Sequence, residues 1–137
     1  MQPIKIDHVA VVVEDMDAAL GFWRDALGLT VEKTESNGVE AVEVAFLPVG
    51  ESTVELLLPT TVDSGIAKYL VKRGAGIHHL CLAVADIEMC MAQLAEKGIE
   101  LINETPRVRE DGIRYTFVHP KSTGGVLLEL YETVGDD

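Results

Sequence analysis

Apolar and polar positions alternate, then change period, then alternate again, and this sets the element order. Residues 5–13 are mostly β-branched and read as a strand, which Glu14-Asp15 ends, with Asp15 placed to cap the helix that follows. Over residues 16–27 the apolar positions Ala19, Leu20, Trp23, Ala26 and Leu27 fall at helical spacing, and Gly28 is the stop. Strand patterning resumes over residues 30–33, 39–47 and 53–58, with Pro48-Val49-Gly50-Glu51 turning the last two into a hairpin. Residues 64–73 carry Ile66, Ala67, Tyr69, Leu70 and Val71 and read as a short helix, after which Gly74-Ala75-Gly76 opens a new series. That series repeats the first: a strand over 76–84, Asp86 as cap, a helix over 87–97 stopped by Gly98, and strands over 100–103, 113–119 and 125–131.

The repetition extends to individual residues. Ile6-Asp7-His8-Val9-Ala10-Val11-Val12-Val13-Glu14-Asp15 returns 71 positions later as Ile77-His78-His79-Leu80-Cys81-Leu82-Ala83-Val84-Ala85-Asp86, with His and Asp keeping their places. Each copy closes on an apolar strand holding one glutamate, Val54-Glu55-Leu56 and Leu128-Glu129-Leu130. Two copies are too few and too long for a solenoid, so the chain reads as one domain of two β-α-β-β-β modules, about residues 4–60 and 75–133, joined by the short helix. The class is α+β, with the halves expected to pack about a shared site.

Alternation assigns faces. His8 shares one with Ala10 and Val12, opposite Val9, Val11 and Val13. Glu55 lies opposite Val54 and Leu56, and Glu43 shares a face with Ala41, Ala45 and Leu47, opposite Val42, Val44 and Phe46. A carboxylate among apolar strand residues is costly unless paired or bound to a cation, and here the arrangement occurs twice. Taken singly, a strand histidine is ordinarily a satisfied core residue and a strand glutamate faces solvent. His8, Glu55, His79 and Glu129 at matched places in two repeats instead point to a divalent metal. Mixed nitrogen and oxygen ligation suits an octahedral ion better than a closed cysteine-rich zinc site. Four such ligands leave two positions open, enough to chelate a substrate through two oxygens and stabilise an enolate.

Composition narrows the setting. The 137 residues are 47% hydrophobic, which supplies a core, while 23 acidic against 11 basic residues give a net charge of −12 and argue against nucleic-acid binding. Cys81 and Cys90 lack a CxxC spacing and read as free buried thiols of a reducing compartment. With no apolar run of membrane-spanning length and no signal-like N-terminus, the protein is expected to be soluble and cytoplasmic, with no membrane partner.

Other candidates for site chemistry are few. Glu43 is a general base if it faces the cavity, and a solvated strand glutamate otherwise. His78 points away from the face of His79, and His119 at a strand end either lines the pocket or holds its loop. Arg107, Arg109, Arg114 and Lys121, with Lys68, Lys72 and Arg73 on the linking helix, are the natural cations for phosphates or a carboxylate in so acidic a chain. Ser122-Thr123-Gly124-Gly125 offers hydroxyls and backbone NH groups to an anion, or forms a plain turn.

The runs IDHVAVVVEDMDAALGFWRDALG, GIHHLCLAVADIE and FVHPKSTGGVLLELYE resemble the vicinal oxygen chelate superfamily over nearly the whole chain. The closing HPKSTGG and VLLEL runs, AFLPVGESTVELLLP and the helix around IAKYL are more specific, and resemble the superfamily's epimerases of methylmalonyl-CoA. That resemblance implies a single vicinal oxygen chelate domain over residues 1–137, its paired modules forming a curved, barrel-like mixed sheet around a metal. The ligands would be His8, Glu55, His79 and Glu129, and the ion Co, Mn, Ni, Mg, Fe or Zn. It implies a homodimer that interconverts (2R)- and (2S)-methylmalonyl-CoA in propionyl-CoA metabolism, by proton abstraction at C2 through a metal-chelated enolate. Glu43 and Glu129 would be the acid-base pair, and Lys121, Ser122, Thr123 and His119 would contact the substrate. A glyoxalase I-like lactoylglutathione lyase shares the ligand set and is the first alternative. A non-catalytic binder of the same fold would want an aromatic-lined groove, which 5% aromatic residues scarcely provide.

Overall fold

The structure is a computed structural model that describes residues 2–133; Met1 and residues 134–137 of the expected domain lie outside the described residues. The chain divides into two compact units, one of residues 8–78 and one of residues 79 onward together with the N-terminal stretch through Asp7.

In the first unit, β1 (Lys5–Val12) leads to Asp15, whose side chain accepts from the Ala18 NH at 3.1 Å and so caps α1 (Met16–Leu20). The expected helix does not stay α-helical to residue 27. Gly21–Ala26 continue it as a π-helix, with Leu27 donating to the Phe22 carbonyl at 2.8 Å. The wider turn delays the return of Leu27 to the buried stripe, which leaves this expected core residue 54% exposed. Gly28 ends the element at φ 94°, a conformation that a side chain would strain.

The strand expected over 30–33 lies further on, as β2 (Lys33–Asn37), all of it exposed. It pairs antiparallel with β3 (Val42–Val49), which starts three residues later than its hydrophobic run suggested. The intervening turn is built by Asn37, whose side chain accepts from the Glu40 NH at 3.0 Å, and Ala41 takes φ 53°. A polar sequence suits an edge strand that packs on nothing, so hydrophobic patterning could not locate it. β3 and β4 (Ser52–Pro59) form the anticipated hairpin, closed at Val49↔Ser52, and β1 lies parallel to β4. Strand order in this unit is β2-β3-β4-β1.

Its sheet is covered on both faces. On one, Ala45, Leu47, Leu56 and Val13 pack with Met16 and Leu20 of α1 and with Trp23. On the other, Ala10, Val12, Val42, Val44 and Leu57 meet Ile66, Tyr69 and Leu70 of α2 (Gly65–Arg73), which is capped by Ser64.

The second unit repeats the plan. β5 (Gly76–Val84) occupies the expected span, Asp86 caps α3 (Ile87–Glu96), and Gly98 at φ 76° follows its end. The strand expected over 100–103 reduces to one bridge, Leu101↔Val118; the edge strand is instead β6 (Arg107–Val108), beyond Pro106. β7 (Arg114–Val118) and β8 (Leu128–Glu132) complete the order β5-β8-β7-β6. β8 begins three residues later than expected because Gly124 and Gly125 still hold positive φ in the preceding turn. One face of this sheet packs Leu82, Val118 and Leu130 against Ile87, Cys90 and Met91 of α3. Cys81 and Cys90 are free and buried, and burial pushes the Cys90 thiol pKa up.

Candidate active site

Cross-strand partners share a face, so strand register decides which functional side chains can meet. In the first unit His8 pairs with Thr53 and Ala10 with Glu55, which puts His8 and Glu55 on the same side as Val12 and Leu57. His8 is 5% exposed, and its Nδ1 lies 3.2 Å from Glu55 Oε2. In the second unit Cys81 pairs with Glu129, so His79, two residues before Cys81, shares the face of Glu129. His79 and Glu129 are 9% and 6% exposed, and His79 Nε2 lies 3.1 Å from Glu129 Oε1. Each unit therefore carries one imidazole-carboxylate pair at the place the repeat indicated, buried in the second unit and, in the first, a buried His8 with a partly buried Glu55.

Such a pair tolerates burial because each partner offsets the other's lost hydration. Its chemistry also suits a divalent cation. Carboxylate oxygen and imidazole nitrogen are the donors that such ions accept, and neither pair includes a thiolate that would favour a closed zinc site.

Glu43 does not join the first pair. Glu55 is opposite Phe46, whereas Glu43 is opposite Leu58, which packs on the α1 side of the sheet. Unbroken pairing from Val42↔Pro59 to Val49↔Ser52 leaves no bulge to change the parity. Glu43 thus faces away from His8 and Glu55, on the side of its sheet that packs on α1.

The residues expected to hold substrate are tied into their own turn. His119 Nδ1 accepts from the Lys121 NH at 3.1 Å and caps a 3-10 turn over Pro120–Ser122. The single Thr123 hydroxyl proton has the carbonyls of Pro120 and Val126 as alternative acceptors and its oxygen accepts from the Val126 NH, while Ser122 Oγ accepts from the Glu100 NH. Lys121 is ion-paired with Glu100, which holds that carboxyl below its ordinary pKa. Ser122 and Thr123 border a cavity of about 310 Å3 with Cys90, Leu94 and Leu130, on the α3 side of the sheet and away from His79 and Glu129. These contacts favour the structural alternative, a self-braced turn.

Alternation passed over a set of side chains on the face of Glu129. Phe117 pairs with Glu129 and Tyr115 with Tyr131, and the Phe117 ring lies 5.6 Å from His79 and 6.1 Å from Tyr115, edge-on to both. Burial, and then the neighbouring and hydrogen-bonded Asp7 carboxylate, push the Tyr131 hydroxyl up to about 12, so it stays protonated. The Arg109 guanidinium lies 6.0 Å from the Tyr131 ring centre while paired with Asp111 at 2.7 Å. Counting in twos from Glu129 would have found Tyr131, whereas Phe117 and Tyr115 join that face only through the pairing of β7 with β8. Arg114 belongs to the other face, where it grips Glu132 through two nitrogens and approaches Glu88 at 3.5 Å. His78 meets Tyr69 edge-on at 4.6 Å and takes no part in either pair.

This chain and its fold have counterparts among known proteins. The family model described as the glyoxalase/bleomycin resistance protein/dioxygenase superfamily matches residues 7–117, and the chain belongs to that superfamily. It is 37% identical over 127 residues to the mitochondrial methylmalonyl-CoA epimerase of Bos taurus, covering 92% of this chain and 73% of that protein. It is 35% identical over 128 residues to the ethylmalonyl-CoA/methylmalonyl-CoA epimerase of Cereibacter sphaeroides, covering 92% of this chain and 96% of that one. A solved methylmalonyl-CoA epimerase in complex with methylmalonyl-CoA and NH4+ superimposes with TM-score 0.87 at 36% identity, over 98% of this chain and 97% of that chain. Within the superfamily the chain belongs with the methylmalonyl-CoA epimerases, enzymes of the racemase and epimerase class. Among the described residues no helix is long and apolar enough to cross a membrane.

Proposed function

We propose that this chain interconverts the (2R) and (2S) forms of methylmalonyl-CoA with the help of one divalent cation. The observation that carries this reading is the duplicated imidazole-carboxylate pair, His8 with Glu55 at 3.2 Å and His79 with Glu129 at 3.1 Å, in a chain whose relatives are epimerases of that thioester. His8, Glu55, His79 and Glu129 would hold the ion. When bound, it supplies Lewis-acid stabilisation of negative charge on the substrate's oxygens.

The C2 proton of methylmalonyl-CoA is acidified by the thioester carbonyl on one side and the carboxylate on the other. Removing it leaves a planar carbon that can take a proton back on either face, and that return is the inversion. Glu129 is the carboxylate nearest this chemistry, a ligand first and a proton carrier second, since coordination lowers its basicity. Glu43, facing α1, has no assigned part.

The test is proton NMR of the protein with methylmalonyl-CoA in D2O, before and after stripping and restoring divalent metal. Metal-dependent loss of the C2 proton signal, together with racemisation, is the expected result. Failure of the fully metal-loaded protein to exchange that proton would overturn the reading and turn attention to a glutathione hemithioacetal.

A further inference from the structure

We infer that Arg107 on β6 is the cation that anchors an anionic group of the acyl-CoA substrate, an inference that rests on the proposed function for its ligand. Register places it. Arg107 pairs with Tyr115, Tyr115 with Tyr131, and Tyr131 lies two residues beyond Glu129 on β8. Arg107, Tyr115 and Tyr131 thus form a row across the second unit on the face that carries His79 and Glu129. β6 and β8 are two strand spacings apart, roughly 10 Å. Arg109, two residues along from Arg107, shows that side chains from this edge reach inward over the face, since its guanidinium lies over Tyr131.

Ion pairing separates Arg107 from the other cations around the last strands. Arg109 is held by Asp111, Arg114 by Glu132 on the opposite face, and Lys121 by Glu100. Arg107 has no carboxylate partner among the described residues, although acidic groups outnumber basic ones 23 to 11. An anion approaching a surface of net charge −12 is repelled unless a local cation receives it. An exposed arginine on the rim of an aromatic wall offers a planar fork to a carboxylate or a phosphate without first giving up an internal ion pair. Both groups belong to the same substrate, the carboxylate at its acyl end and the phosphates at its nucleotide end.

The experiment is calorimetric titration of the metal-loaded full chain with methylmalonyl-CoA and, separately, propionyl-CoA, which lacks the carboxylate. Arg107→Gln is expected to weaken methylmalonyl-CoA binding about tenfold, with Arg107→Lys recovering part of the loss. Lys97→Gln, which removes the same charge at the end of α3, should leave binding within about twofold, because distant exposed charges are screened. Thermal unfolding of both Arg107 variants should match the parent. A penalty confined to methylmalonyl-CoA identifies the carboxylate as the anchored group, and an equal penalty on propionyl-CoA identifies the phosphates. Unchanged affinity of Arg107→Gln for both ligands overturns the inference while C2 exchange by the parent protein still stands. Arg107-dependent binding without C2 exchange would overturn the epimerase reading and leave the anchor in place. A parent protein that binds neither thioester sinks both.

Discussion

Glu43 and Glu55 sit on adjacent strands of one unit but project to opposite faces of its sheet, because Glu55 is paired with Phe46, three residues beyond Glu43. A slip of one residue between β3 and β4 would bring Glu43 to the side of His8, and the same slip would turn Ala45 and Leu47 out of the α1 core. Glu43→Gln is therefore expected to keep C2 exchange within about threefold of the parent, whereas loss of a general base costs about 100-fold to 10,000-fold. Single-turnover exchange in D2O reads the difference directly. A loss in that higher range would mean that β3 is registered differently in the working enzyme.

Glu132 holds the start of α3. One carboxylate oxygen accepts from the Ile87 NH at 3.0 Å, and the same carboxylate pairs with Arg114, whose own pKa it raises. Replacing it by alanine removes a hydrogen bond at the helix N-terminus and leaves a guanidinium without its main partner. Glu132→Ala should cost about 1–2 kcal/mol in urea unfolding. Hydrogen exchange should localise the loosening to the first turn of α3, and an evenly distributed effect would contradict this role.

Thr116 is fully buried on β7, and its hydroxyl has no hydrogen-bond partner among the described residues. It is paired with Leu130 and lies on the apolar α3 face, where a methyl group would meet the same neighbours without the desolvation cost. Thr116→Val is expected to stabilise the protein by about 1 kcal/mol at unchanged m-value. A destabilised variant would place an ordered water at the hydroxyl.

Tyr131 links stability to alkaline pH. Its folded-state pKa of about 12 stands above the ordinary 10.0, so between those values the folded chain keeps a proton that the unfolded chain releases. The stabilising contribution is complete below pH 10 and declines as pH rises toward 12. In a spectrophotometric titration one of the three tyrosines should ionise last. Tyr131→Phe should remove that late step and flatten the alkaline fall in stability; persistence of both would assign them elsewhere.

Local chemistry made much of the molecule legible in one dimension. The caps Asp15 and Asp86 accept from the NH three residues on, as their residue types imply. The duplicated His and Glu fell on buried strands because alternation already put them among apolar neighbours, and burying a carboxylate there required a partner close by. Capping and alternation lie within one turn or one strand, and residue order suffices to state them.

Interactions between strands were not legible, and they decide the rest. Alternation said only that Glu43 faces away from Phe46; pairing of Phe46 with Glu55 made that the face opposite His8 and Glu55. The edges β2 and β6 are exposed along their whole length and so leave no hydrophobic signature, which is why one was misplaced and the other missed. Four cations near the C-terminus looked equivalent as a string, and partners 2 to 21 residues away, Asp111 for Arg109 and Glu100 for Lys121 among them, told them apart. The sequence by itself determined the repeated order of elements, the caps Asp15 and Asp86 and the duplicated His and Glu positions, because these follow from periodicity and the cost of burying charge. Register, the π-helical turn after α1 and the neutralised cations were decided only in the folded chain, where each depends on a partner that residue order does not name.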